Sequence, residues 1–163
     1  DLESIVIAHN PEIIVITETW LNSDIGDYEI TPSGYCILRN DRDTRGGGVA
    51  IIFKDSLELL RLPDIIGIEC VVVKVILKEC ALIIGGFYRP PSSDISFYER
   101  LNNFLLPYRN HSSNLMLVGD FNVPHVAWDN DFPYALSNEA EHILDLVLFH
   151  DLTQLVHAPT RVQ

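Results

Sequence analysis

Asn114-Leu-Met-Leu-Val-Gly-Asp-Phe-Asn122 is the stretch from which this chain can be read. Four apolar residues, Leu115 to Val118, predict a short buried strand. The run ends at Gly119, and two polar side chains follow at alternate positions, Asp120 and Asn122. Alternate residues of an extended chain share a face, so a carboxylate and a carboxamide are expected to point the same way from the strand end. Such a pair can grip a hard cation or a phosphate. An Asx turn closing a strand would use the same tetrapeptide, and the rest of the chain has to choose between the two readings.

Working outward, Glu12 to Thr19 supplies a second strand. Its β-branched run, Ile13 to Thr17, is of the kind buried on both faces of a sheet. It too ends in an acid, Glu18. If the two strand ends meet, Glu18 and Asp120 line one acidic pocket; taken singly, Glu18 is a strand-end acid in solvent. Leu2, Ile5, Val6 and His9 fall at helical spacing before it, and Asn10-Pro11 stops that helix. A helix followed by a buried strand marks an α/β pattern.

The middle of the chain is rich in strands. Trp20 to Pro32 reads as loop, Tyr35 to Leu38 as a short strand, and Val49 to Phe53 as another. Between them, Arg39, Arg42 and Arg45 lead into Gly46-Gly47-Gly48, which could let the backbone approach a phosphate closely but is expected to be a flexible turn. It lacks the spacing of a nucleotide-binding phosphate loop. Ile65 to Leu77 and Ala81 to Tyr88 predict a long antiparallel hairpin, with a bulge or close backbone approach at Gly85-Gly86. Pro90-Pro91 stops the second strand, so Tyr88 and Arg89 are expected on a rigid exit. Ser96 with Glu99, and Asn138 with Glu141, have capping-box spacing for two helices. The first carries a stripe of Phe97, Leu101, Phe104, Leu105 and Tyr108. The second turns Ala140, Ile143, Leu144 and Val147 inward. A last strand is expected over Leu152 to Val156.

The 163 residues suit one domain, and at 47% hydrophobic they can build a sizeable core. No apolar run approaches the roughly 18 residues of a membrane span. The three cysteines, Cys36, Cys70 and Cys80, are scattered and odd in number, which suggests buried free thiols in a reducing, intracellular compartment. No secretory signal opens the chain at Asp1, which is expected to lie inside a longer sequence. The net charge of −12 suits a carboxylate metal site but runs against the basic surface usual for nucleic-acid binding.

Five segments, taken in order, carry a resemblance: Glu18-Thr-Trp-Leu21, Gly47-Gly-Val-Ala-Ile51, Gly86-Phe-Tyr-Arg-Pro-Pro91, Gly119-Asp-Phe-Asn122 and Pro159-Thr-Arg161. Each is weak alone, but their order and spacing make the set specific. The chain resembles the endonuclease/exonuclease/phosphatase family, and more narrowly the apurinic-like endonuclease domain of non-LTR retrotransposon polyproteins of the Jockey type. The resemblance implies a mixed α/β (α+β) fold, a four-layer αββα sandwich of two mostly antiparallel sheets flanked by helices. It implies Mg²⁺-dependent hydrolysis of a phosphodiester, with Mn²⁺ as a possible substitute, and nicking of a DNA substrate for a linked reverse transcriptase in the nucleus or cytoplasm. By motif match, Glu18 resembles the metal-binding glutamate and Tyr88 the tyrosine that contacts the scissile phosphate. Asp120 resembles the aspartate that orients or activates water, and Asn122 the asparagine that holds phosphate or a developing oxyanion. Arg89 beside Tyr88 is a further substrate-binding candidate.

The chain departs from the family pattern at both ends. The early strand with an asparagine near the metal, the late aspartate and the terminal histidine segment have no counterpart in these residues. The expectation is therefore a fragment of one domain, residues 1–163, inert by itself. The alternatives are an inactive retroelement relic or interaction module that keeps the fold, and a same-fold phosphatase acting on a small phosphoester.

Overall fold

A computed structural model describes residues 2–109, 114–128 and 133–156. The elements run α1 (Leu2–His9), β1 (Ile13–Thr17), α2 (Asp27–Ile30), β2 (Tyr35–Asn40), β3 (Val49–Lys54), β4 (Leu59–Arg61), β5 (Glu69–Ile76) and β6 (Ala81–Tyr88). They continue with α3 (Ser96–Leu105), a 3-10 turn (Leu106–Tyr108), β7 (Leu115–Asp120), β8 (Val126–Ala127), β9 (Tyr134–Ala135) and α4 (Asn138–Phe149). The chain groups into two compact units, Asp1–Ser92 with Ser113–Phe121, and Ser93–Ser112 with Asn122–Gln163.

The first unit holds two sheets, in the orders β1-β3-β2 and β4-β5-β6-β7. Every pair in them is antiparallel except β6–β7. A parallel pair needs a crossover of a dozen or more residues, and the chain from Arg89 to Asn114, with α3 in it, supplies that length. The sheets pack face to face over Val49 and Ile51 of one and Val71, Val73, Val75, Ile84 and Tyr88 of the other. Burying each such aliphatic side chain contributes about 1.5–3 kcal/mol. This is the mixed α+β sandwich that the sequence implied.

The glycine pair in β6 keeps a regular register, opposite Val72 and Val71, so there is no bulge. Of the two expectations for it, close approach is the one realised. A Cβ on Gly86 would stand 2.9 Å from Cγ1 of Val15 in β1. The missing side chain lets the two sheets close on each other, which is how β1 reaches β6.

Several expectations need correction. β1 and β7 are edge strands and only half-buried, with Met116 39% exposed, not strands buried on both faces. A continuous apolar run fits one covered face as well as two. α2 and β4 were not expected, and β5 begins at Glu69 because Ile65 to Ile68 closes a turn, Ile68 N–H to Ile65 O at 3.0 Å. α1 forms as expected, although Ile7 on it is 83% exposed. Neither capping box forms as read. Ser96 bonds Asp94 through both its N–H and its hydroxyl, and it is Ser137 that caps α4, by accepting from Ala140 N–H at 3.2 Å.

In the second unit α4 buries Ala140, Ile143, Leu144 and Leu146, while Val147 stays half-exposed. Nε2 of buried His150, at the end of α4, meets Oδ1 of Asn102 in α3 at 2.8 Å. Leu152 to Val156 is irregular, not a strand, and Pro159-Thr-Arg161 lies outside the described residues. Among the described residues no helix is long and apolar enough to cross a membrane.

Candidate active site

The site grows from the end of β1. After Thr17 the backbone leaves the extended region: Glu18 has φ 56° and Trp20 φ 57°. Left-handed backbone at non-glycine residues costs on the order of 1–3 kcal/mol each and persists only where the surroundings enforce it. Here the enforcing element is the glycine run. Thr19 N–H donates to Gly48 O at 3.4 Å and Trp20 N–H to Gly47 O at 3.0 Å. Gly46, Gly47 and Gly48 have φ of 88°, 70° and 88°, which only glycine adopts cheaply. A Cβ on Gly47 would run into Glu69 and Arg42. The run is thus a pinned strap, not the flexible turn expected from its composition.

Glu69 does the pinning. Its Oε2 accepts Gly48 N–H at 2.9 Å, and its Oε1 takes Arg42 through Nε at 2.9 Å and through an ion pair with Nη2. The Arg42 guanidinium lies over the Tyr88 ring, 5.7 Å from its centroid. Glu69 and Tyr88 are register partners across β5 and β6.

The strap also aims a donor at Glu18. Oε2 of Glu18 accepts Gly47 N–H at 3.1 Å and the Trp20 indole N–H at 2.6 Å, and the Tyr88 hydroxyl donates to the same carboxylate. The Tyr88 bond, more than the other two, holds the Glu18 carboxyl below its usual range. Tyr88, only 5% exposed, is pushed up to about 12, by burial first and by the bond to Glu18 second. At neutral pH the pair is therefore a carboxylate and a neutral phenol.

Tyr88 is the register partner of Asp120 at the end of β7. Glu18, bonded to Tyr88, and Asp120, in register with Tyr88, thus lie at the same end of the sandwich. Asp120 itself is exposed. Gly119 before it has φ 144°, and a Cβ there would collide with the Phe87 carbonyl, so glycine is what lets β7 end this close to β6.

Two expectations change. Asn122 was to share a face with Asp120 through strand alternation, but β7 stops at Asp120 and Asn122 has φ 47°, so alternation does not reach it. Arg89 was to contact substrate, yet it is 1% exposed. Its N–H donates to Asp120 O at 2.9 Å and its Nη1 to Phe121 O at 3.5 Å, so it braces the exit of β7. The sequence reading missed Glu69, Arg42 and the bonding role of Trp20. Trp20 lay in plain view inside Glu18-Thr-Trp-Leu21, whereas Glu69 gives no local signal.

Among the described residues no three or more His, Cys, Asp or Glu side chains gather into a metal-binding group. Both oxygens of Glu69 are already engaged. Mg²⁺ does not require a closed protein cage; one or two carboxylates with waters and substrate phosphate oxygens are usual. Exposed, ionised Glu18 fits that mode.

The sequence matches the endonuclease/exonuclease/phosphatase family over residues 1–161. The chain belongs to that family. Solved structures share its fold at low identity. The endonuclease domain of TRAS1, a telomere-specific non-LTR retrotransposon, superposes with a TM-score of 0.66 at 13% identity, over 91% of this chain and 63% of that one. The 3′ phosphatase NExo from Neisseria, bound to a product DNA hairpin, gives 0.63 at 16% identity, over 91% and 64%. An AP endonuclease from Archaeoglobus fulgidus gives 0.57 at 16%, over 88% and 63%. This family member thus spans a little under two thirds of the length of those structures. No curated protein matches it in sequence.

Proposed function

We propose that this chain contributes the active-site end of a metal-dependent DNA endonuclease, the nicking domain of a non-LTR retrotransposon polyprotein with a linked reverse transcriptase. The carrying observation is the convergence of Glu18, Tyr88 and Asp120, with Glu18 bonded to Tyr88 and Tyr88 in register with Asp120. Family membership and likeness to the TRAS1 endonuclease domain support the reading.

Each residue has a task. Glu18, kept ionised by three donors, would hold Mg²⁺ or Mn²⁺. Bound there, the cation would neutralise the anionic phosphodiester and steady the leaving oxygen. Tyr88 stays a neutral donor across the physiological range and can stabilise charge on a phosphoryl oxygen. Asp120, exposed beside Tyr88, would orient the attacking water and accept its proton. Asn122 would hold a phosphate oxygen. Arg89 would position the Asp120 backbone from behind. Arg45 supplies local positive charge on a chain of net charge −12, while the charge of Arg42 is balanced by Glu69.

The test is nicking of supercoiled plasmid by the open reading frame that carries this chain. Nicking should require Mg²⁺ or Mn²⁺, stop with chelator, and be lost in both Glu18→Gln and Asp120→Asn. Phosphate release from small phosphoesters without plasmid cleavage would favour the phosphatase alternative. Folded protein with neither activity would favour the relic.

A further inference from the structure

Trp20 is 55% exposed, although an indole is costly to leave in water. It is not loose. Its backbone N–H is bonded to Gly47 O at 3.0 Å, its indole N–H to Glu18 at 2.6 Å, and its φ of 57° fixes the direction in which it leaves the chain. The Arg45 guanidinium lies 5.5 Å from the ring centroid. Stability alone does not call for a rigid, half-exposed aromatic plane flanked by a cation and bonded to the proposed metal-binding carboxylate. It is a ready surface for something flat and anionic at its edge.

From this geometry we infer that Trp20 and Arg45 form a stacking platform for a nucleobase of the substrate strand next to the scissile phosphate. The inference rests on the phosphodiesterase reading above and deepens it by naming the substrate class: a polynucleotide with a base beside the cut, not a small phosphoester. Every base offers a π-face, so an indole binds bases with little regard to sequence. Arg45 meets the phosphate next to the stacked base and adds its cation to the ring. The site then has two anchors of different chemistry, a metal-ready carboxylate for the phosphate and an aromatic plane for its neighbour. Trp20 is a binding residue in this scheme; its bond to Glu18 sets the spacing between the anchors.

The experiment compares two probes at fixed ionic strength, because phosphate contacts are salt-dependent. One is a 12-nucleotide single-stranded DNA. The other is the same backbone with abasic sites throughout. Binding is followed with Trp128→Phe protein, in which Trp20 is the remaining tryptophan. The DNA should quench Trp20 fluorescence and the abasic backbone should not. Trp20→Ala, read by fluorescence anisotropy of labelled probe, should weaken DNA about 5- to 100-fold, the range that loss of one stacked base produces. It should leave the abasic backbone within about 2-fold. Trp20→Phe keeps a stacking face but loses the N–H bond to Glu18, so it should recover most of the DNA affinity. Equal binding of both probes, unchanged by Trp20→Ala, would overturn the platform and leave the nuclease reading standing. Failure of both probes to bind would overturn both. Loss in Trp20→Ala that Phe does not recover would assign the effect to the Glu18 bond and overturn stacking.

Discussion

The ends of β1 and β7 do the same thing in different ways. Both strands lie at sheet edges, each has an acid at or directly after its last residue, and both are followed within two residues by left-handed backbone. The end of β1 is tied down: Glu18 has three donors, and the strap that presents one of them is held by Glu69 from the other sheet. At the end of β7 Arg89 bonds the backbone oxygens of Asp120 and Phe121, and Asp120 is exposed. A charge that must wait for a cation gains from being fixed and ionised. A group that must follow a water molecule and take up its proton gains from being reachable. Under the proposed function, the two strand ends divide the labour between holding a cation and taking up a proton.

That division can be broken in a single titration. Asp120→Asn should lower the nicking rate by about 10²- to 10⁴-fold, the usual worth of a positioned base. The Mg²⁺ concentration at half-maximal activity should stay unchanged, and so should the urea midpoint, because an exposed side chain contributes little to stability. Glu18→Gln should instead move the Mg²⁺ dependence upward, on the order of 10- to 100-fold. If both variants shifted the Mg²⁺ dependence equally, the two acids would share one task and the contrast drawn here would fail.

The next effect is on stability and belongs to the strap. Gly48→Ala places a Cβ against Thr19 Oγ1 at φ 88°. The expected loss is about 1–3 kcal/mol, read from urea unfolding. The residual folded protein should also show the Mg²⁺ shift of Glu18→Gln, because the strap presents the Gly47 N–H to Glu18. Destabilisation without that shift would mean that the strap serves the sandwich and not the site.

How much of this was legible beforehand follows from the range of each interaction. Ile13 to Thr17, Val49 to Phe53 and the Glu69–Tyr88 hairpin declare themselves through runs of β-branched residues, a local signal. Leu59–Arg61 and Asp27–Ile30 are too short to show a period. The edge position of β1 and β7 depends on which strands arrive beside them, and nothing within Ile13–Thr17 or Leu115–Asp120 encodes it. Glu18, Tyr88 and Asp120 stand out in the sequence because each sits in a motif at or beside a strand end. Glu69 was missed because its partners, Arg42 and Gly48, are 27 and 21 residues away and become neighbours only when the sheets close. Asn122 was misplaced because an alternation rule was carried two residues past the end of its strand.

The smallest expected effect concerns the bond joining the two acids' neighbourhoods, Tyr88 to Glu18. Tyr88→Phe removes a hydroxyl hydrogen-bonded to a carboxylate, which should cost about 1–3 kcal/mol at neutral pH. The alkaline behaviour separates its two causes. The folded-state pKa of Tyr88 is raised to about 12 from an ordinary value near 10. A raised pKa means that its stabilising contribution is whole below pH 10 and is lost as the pH climbs through 12, because the unfolded chain ionises first. The stability difference between wild type and Tyr88→Phe should therefore shrink across that window, measured as urea midpoints at successive pH values. Burial outranks the Glu18 bond as the cause of the shift. In a Glu18→Gln background, paired with Glu18→Gln/Tyr88→Phe, most of the shrinkage should accordingly persist. If it vanished, the carboxylate and not the closing of the two sheets would be what keeps Tyr88 protonated, and the held end of the site would owe its state to Glu18 alone.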